Sequence, residues 1–140
     1  MSKDIFQNII THLEFYGYTV QEKDVDEYKS TFCRHEEYGP LLLREAVIGV
    51  FFEAFYNSKL RNKKSGSILL EKLNAANRKS WITTFTMSDE GSIQMRALYT
   101  GLYDKAIFRK FIEKWHVDSE LIDYDREIFE DLIKIDKKGG

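Results

Sequence analysis

The chain has 140 residues, the size of one domain, and is expected to form one over 1–138 with Gly139–Gly140 as a tail; its 43% hydrophobic and 14% aromatic content suits a packed core and excludes global disorder. Acidic residues outnumber basic ones, 23 to 21, for a net charge of −2, without the basic excess that announces a nucleic-acid binder. Cys33 is the single cysteine, which excludes an intramolecular disulfide.

The longest apolar run, Ala46 to Tyr56, is interrupted by Glu53 and falls well short of the roughly 20 residues a membrane span needs. No charged start followed by an apolar stretch and a small-residue cleavage site opens the chain. A cytoplasmic protein that binds neither membrane nor nucleic acid is the expectation.

From Lys3 to Tyr16, the residues Ile5, Phe6, Ile9, Ile10, Leu13 and Tyr16 recur at steps of three and four, which predicts an amphipathic helix. Gly17 follows as its C-terminal stop. Tyr28 to Cys33 alternates like a strand, and Val47 to Tyr56 is β-branched and aromatic enough to read as another. Between them, Leu41 to Glu45 is compatible with strand or helical turn. The basic group Lys59, Arg61, Lys63 and Lys64 reads as a solvated loop.

Ser65 or Ser67 caps a second predicted helix carrying Ile68, Leu69, Leu73 and Ala76 and ending near Asn77. A hairpin is predicted next: Trp81 to Met87, a turn over Ser88 to Gly91, then Ser92 to Tyr99. The last third shows two helical stripes. One is Ile107, Phe108, Phe111, Ile112 and Trp115; the other runs from Leu121 to Ile133, with Asp118 or Ser119 as its cap and Lys134, Lys137 and Lys138 at its end. The order is α-β-β-β-α-β-β-α, an α+β fold whose antiparallel sheet is packed on one face by the N-terminal, middle and long C-terminal helices.

Catalytic and metal chemistry finds little support. His12, His35 and His116 have no partner at ligand spacing, and Gly-rich phosphate loops and Gly-x-Ser-x-Gly are missing. Cys33 and His35, two apart, point to one side of a strand, the one pairing that suggests nucleophilic chemistry; the plainer reading is an edge strand with a partly exposed His. Glu22, Asp24, Asp26 and Glu27 lack the mid-loop glycine and closing glutamate of a calcium loop. The carboxylates from Asp118 to Asp131 read as the wet face of a helix. No catalytic residue, cofactor or metal ligand is assigned.

The alternation of the strands separates two faces. Val50, Phe52, Ala54 and Tyr56, with Trp81, Thr83, Phe85 and Met87 and with Ile93, Met95, Ala97 and Tyr99, form an apolar side that must carry the helices. The opposite side mixes Glu53, Gln94, Arg96, Thr84 and Thr86 with Phe51, Phe55, Ile82 and Leu98. Apolar residues set among polar ones mark contact surfaces, so Phe51, Phe55, Ile82 and Leu98 are the candidate partner-binding residues.

The helix ending Leu73-Asn74-Ala75-Ala76-Asn77, the aromatic strand after it, the Ser88-Asp89-Glu90-Gly91 turn, the strand Ile93–Tyr99 and the helix Ala106–Trp115 together resemble the type III secretion chaperone-like superfamily and its YbjN-like bacterial relatives. The resemblance is close over about a third of the chain and topological elsewhere. It implies a small, acidic, non-enzymatic protein, often a homodimer, that binds other polypeptides; secretion chaperones hold effector segments extended along their surface. The expected partner is therefore another polypeptide or a second copy. An immunity or antitoxin-type protein is the alternative binding reading, and a small enzyme at Cys33 and His35 the alternative outside that class.

Overall fold

The computed structural model describes residues 2–25, 28–57, 63–87 and 92–124. Its elements are α1 (Ser2–Phe15), β1 (Thr19–Val25), β2 (Tyr28–Arg34), β3 (Leu41–Ala46), β4 (Gly49–Asn57), α2 (Lys63–Lys79), β5 (Thr84–Met87), β6 (Ser92–Thr100) and α3 (Lys105–Tyr124). The fold is α+β, with six strands in one antiparallel sheet of order β1-β2-β3-β4-β6-β5. No helix among the described residues is long and apolar enough to cross a membrane.

The sheet holds one strand more than the sequence suggests. β1 reads Thr-Val-Gln-Glu-Lys-Asp-Val, too charged to show an apolar alternation. Its pairing with β2, in register from Thr19↔Arg34 to Val25↔Tyr28, satisfies its backbone instead. Glu22 and Asp24 thus stand in a strand, not in a cation-binding loop; Asp26 and Glu27 lie outside the described residues. Leu41 to Glu45 resolves as strand, with Leu43 opposite Phe52 and Arg44 opposite Phe51.

α1 is closed just past its last turn by Gly17, whose φ is 98°. The Gly17 amide donates to the Glu14 carbonyl and the Tyr18 amide to the Leu13 carbonyl, both at 3.0 Å. This is the paired closure that follows from a left-handed residue just past a helix, and buried Leu13 and Tyr18 supply its apolar contact.

Three helix boundaries differ from expectation. α2 starts by Lys63, so Lys63 and Lys64 are helical and Ser65 and Ser67 lie inside the helix rather than capping it. α3 runs unbroken through His116–Asp118. Its cap is Asp104, whose Oδ1 accepts the Ala106 and Ile107 amides at 2.9 and 3.0 Å. The apolar stripe beyond Tyr124, its terminal lysines and the hairpin turn 88–91 lie outside the described residues.

The chain divides into two compact units, residues 1–54 with 96–114 and residues 55–95 with 115–140. In the first, Phe108 and Phe111 of α3 pack on Phe52 and Tyr99, with ring centroids 4.9–5.9 Å apart. Phe108 also packs, with its ring tilted, against His12 of α1. Phe52 and Phe108 are completely buried, each contributing about 2–3 kcal/mol of transfer free energy.

In the second unit Leu69, Leu73, Ala76, Phe85, Ile93, Met95 and Trp115 are buried. Asn77 of α2 treats β5 as a neighbouring strand would: its Nδ2 donates to the Phe85 carbonyl and its Oδ1 accepts the Phe85 amide, at 2.9 and 2.7 Å. Those bonds block part of an edge that other chains could otherwise extend.

Candidate functional site

The residues that alternate with the core positions define the other side of the first unit's strands. On β4 these are Phe51 and Glu53, on β3 Leu42 and Arg44, on β2 Phe32 and Arg34, and on β6 Arg96 and Leu98. Glu53 is the unexpected member, because its side chain is completely buried on the side away from α3. Two arginines cover it. Arg44 Nη2 donates to Glu53 Oε2 at 2.6 Å, and Arg96 Nε stands 3.5 Å from Oε1. Oε1 makes no hydrogen bond of its own.

Arg96, and with it Arg34, also lies on an aromatic ring. The Arg96 guanidinium sits 3.8 Å from the Phe51 centroid and Arg34 5.2 Å from that of Phe32. A guanidinium over a ring face adds about 0.5–1 kcal/mol at such half-exposed positions. The side chains of Arg44 and Arg96 remain 47% and 45% exposed, so each still presents N–H groups outward. Chemically the patch is an apolar floor under fixed cationic forks.

Of the four candidate residues, Phe51 and Leu98 belong to the first unit and are half-buried. Phe55 and Ile82 belong to the second, Phe55 being 57% exposed and Ile82 half-buried. Ile82 is not in a strand, since β5 begins at Thr84. Trp81, expected on the core face, is instead 70% exposed. Asp118 explains the departure: its carboxylate accepts the amides of Trp81, Ile82 and Thr83 and the Thr83 hydroxyl, all at 2.8–3.1 Å. These bonds wrap residues 81–83 around one buried anion and break the strand alternation. Asp118 is therefore the interior anchor of a loop, neither a cap nor part of a wet helix face.

Cys33 and His35 do not form a nucleophile–base pair. Cys33 is completely buried, and burial, with a smaller contribution from the Glu14 charge, pushes its thiol up to about 12. Both nitrogens of His35 are engaged by backbone: Nε2 donates to the Tyr16 carbonyl at 2.9 Å, and Nδ1 accepts the Glu37 and Tyr38 amides. β2 is moreover an interior strand, not an edge. Native Cys33 is expected to react with iodoacetamide about a thousandfold more slowly than in denaturant near pH 8, because a thiol at about 12 against an ordinary 9.0 holds that much less thiolate. Mass spectrometry of timed quenches reads this, and equal native and denatured rates would restore the thiol as a candidate.

His12 and Tyr103 share a 2.7 Å hydrogen bond. Burial, then the charges of Lys105 and Arg109, hold the His12 pKa below its ordinary value, which disfavours the charged ring in this bond. The pair ties α1 to the segment ahead of α3. Among the described residues no group of three or more His, Cys, Asp or Glu gathers to hold a metal. An open apolar groove of about 290 Å³ lies beside the Val47–Ile48 turn and Leu102, where Val47 is 95% exposed. It offers no charged group to orient a ligand apart from Glu45.

Compared with protein-family models, curated proteins and solved structures, the chain matches none.

Two features escaped sequence reading. Arg44 follows from alternation once Leu41 to Ala46 is a strand, because a tight turn at Val47–Ile48 then brings it to the face of Glu53. Asp118 has a fainter signal, an acid in register with the apolar stripe Phe108, Phe111, Ile112 and Trp115 of α3.

Proposed function

We propose that the chain is a non-enzymatic module that binds another polypeptide, or a second copy of itself, through outward-facing strand residues: Phe51 and Leu98 in the first unit and, taken by itself, Phe55 in the second. It acts in the cytoplasm, the compartment where a lone thiol such as Cys33 persists. The observation that carries the reading is that Phe51 and Leu98 stay half-exposed beside Arg96, held over the Phe51 ring, and Arg44, held on Glu53. Preorganised aromatic and arginine side chains are the residue types that dominate protein interfaces.

The face supports this better than strand addition at β5, which is four residues long and has Phe85 engaged by Asn77. The resemblance to type III secretion chaperone-like proteins, which hold extended segments along their surface, points the same way.

Phe51→Ser and Phe55→Ser are expected to keep the fold, since neither ring is in the core, and to weaken association at least tenfold. Size-exclusion chromatography with light scattering reads self-association. Affinity capture from the native cell, comparing wild type with both variants, reads a partner. Association unchanged in both variants removes this face from consideration.

A further inference from the structure

Resting on that reading, we propose that the partner is an extended polypeptide segment in which acidic and apolar side chains share one side, its carboxylates taken by Arg34, Arg44 and Arg96.

Charge decides the class. Among the strand residues of the first unit's open face the described charged side chains are Arg34, Arg44 and Arg96 against Glu53. Glu36 and Glu37 line a hollow beside Arg34 in the loop after β2, so the uncompensated positive charge concentrates at Arg44 and Arg96, on a protein whose net charge is −2. Glu53 is spent beneath the surface and cannot repel a ligand strongly; it sets the positions of the arginines above it. Arg96 is not consumed by that task, because it lies 3.5 Å from Glu53 Oε1 without a hydrogen bond and is drawn onto Phe51. Its outward N–H groups, with those of Arg44, can take a carboxylate in the two-pronged geometry that suits guanidinium. Leu42, Phe51 and Leu98, all half-buried between the charges, supply the apolar contacts.

The same features disfavour two other occupants. A second copy docked face to face by a two-fold axis would set this arginine cluster against itself. A single-stranded nucleic acid would need open ring faces for its bases, whereas guanidinium groups already lie over Phe32 and Phe51.

The test uses the full chain and fluorescence anisotropy with three labelled probes. The first is a short peptide in which Leu and Glu alternate at every second position with Ser between; the second replaces Glu by Lys; the third is a short oligouridylate. The acidic peptide is expected to bind, to weaken about tenfold from low to near-physiological salt, and to lose about tenfold with Arg96→Gln and several-fold with Arg34→Gln. Arg34 is exposed, so its variant stays folded even if Arg96→Gln, which leaves Glu53 with less charge compensation, does not. Equal binding of the Lys peptide, tighter binding of the RNA, or an acidic-peptide affinity indifferent to Arg34→Gln overturns the proposal. Failure of the acidic peptide alongside a dimer that Phe51→Ser dissolves overturns it while leaving the binding face intact; association that survives Phe51→Ser and Phe55→Ser removes the face and the proposal together.

Discussion

Replacing Asp118 by alanine is expected to lower the unfolding free energy by about 3 kcal/mol or more, near the top of the range for single substitutions. The carboxylate is completely buried and accepts three successive backbone amides and one hydroxyl. Alanine removes the acceptor from all four donors, of which the Thr83 amide and hydroxyl are buried, and each buried orphan costs about 1–3 kcal/mol. Asparagine keeps one acceptor oxygen but turns an N–H₂ toward an N–H donor, so Asp118→Asn is expected to lose about half as much. Urea unfolding followed by circular dichroism measures both variants. Hydrogen exchange supplies the local readout: the amides of Trp81, Ile82 and Thr83 should lose protection in Asp118→Ala before the rest of the second unit does. Wild-type midpoints in both variants would show that the carboxylate does not organise this segment.

The consequence extends to the surface. Trp81 is 70% exposed, yet its backbone amide is bound by both oxygens of Asp118. The ring is thus displayed from a rigid mount, which lowers the entropy lost if a partner covers it. No alternation rule places Trp81 there, because strand periodicity assumes that the backbone pairs with strands, and here three amides pair with a helix side chain.

That contrast separates what was legible from what was not. α1 could be read because burial on one side of a helix writes a period into the sequence, and Gly17 because only a left-handed residue closes the helix as observed. The inward residues of β4 and β6, from Val50, Phe52 and Ala54 to Ile93, Met95, Ala97 and Tyr99, follow from the same logic at period two. β1 left no such mark, since its stability comes from main-chain pairing with β2 and not from an apolar stripe. The continuity of α3 was hidden by Asp118, an acid that looks like a helix start when its distant partners are unknown. Phe51, Phe55 and Leu98 could be identified as the more apolar members of a mixed face. The network that joins Phe51 to charge could not, because Arg44 reaches Glu53 only across a strand pairing that local pattern leaves undecided.

Gly49 carries the second large expected effect, and it bears on the binding face as well as on stability. It opens β4, opposite Ala46, directly after the Val47–Ile48 turn. A Cβ built there would run into the carbonyl oxygen of Tyr99 on β6 and lie 3.1 Å from its carbonyl carbon and 3.3 Å from the Thr100 Cα. Every one of these atoms is backbone, so no rotamer change relieves the collision, and β4 must move away from β6 locally. Overpacking of this kind costs about 1–3 kcal/mol, and each ladder bond lost adds about 1 kcal/mol, so Gly49→Ala is expected to destabilise by about 3 kcal/mol. Gly39 is the control, because a Cβ there meets nothing within 4 Å; Gly39→Ala should stay within about 0.5 kcal/mol of wild type. Denaturant midpoints compare the two. Phe51 and Glu53 follow Gly49 by two and four residues on β4, while Arg96 and Leu98 precede Tyr99 on β6. A forced separation at Gly49 therefore also shifts Arg96 relative to Phe51 and Glu53, and Gly49→Ala should weaken acidic-peptide binding under conditions where the variant remains folded. Unaltered stability together with unaltered binding would mean that the close approach of β4 to Tyr99 does not set the spacing of the arginine-covered face.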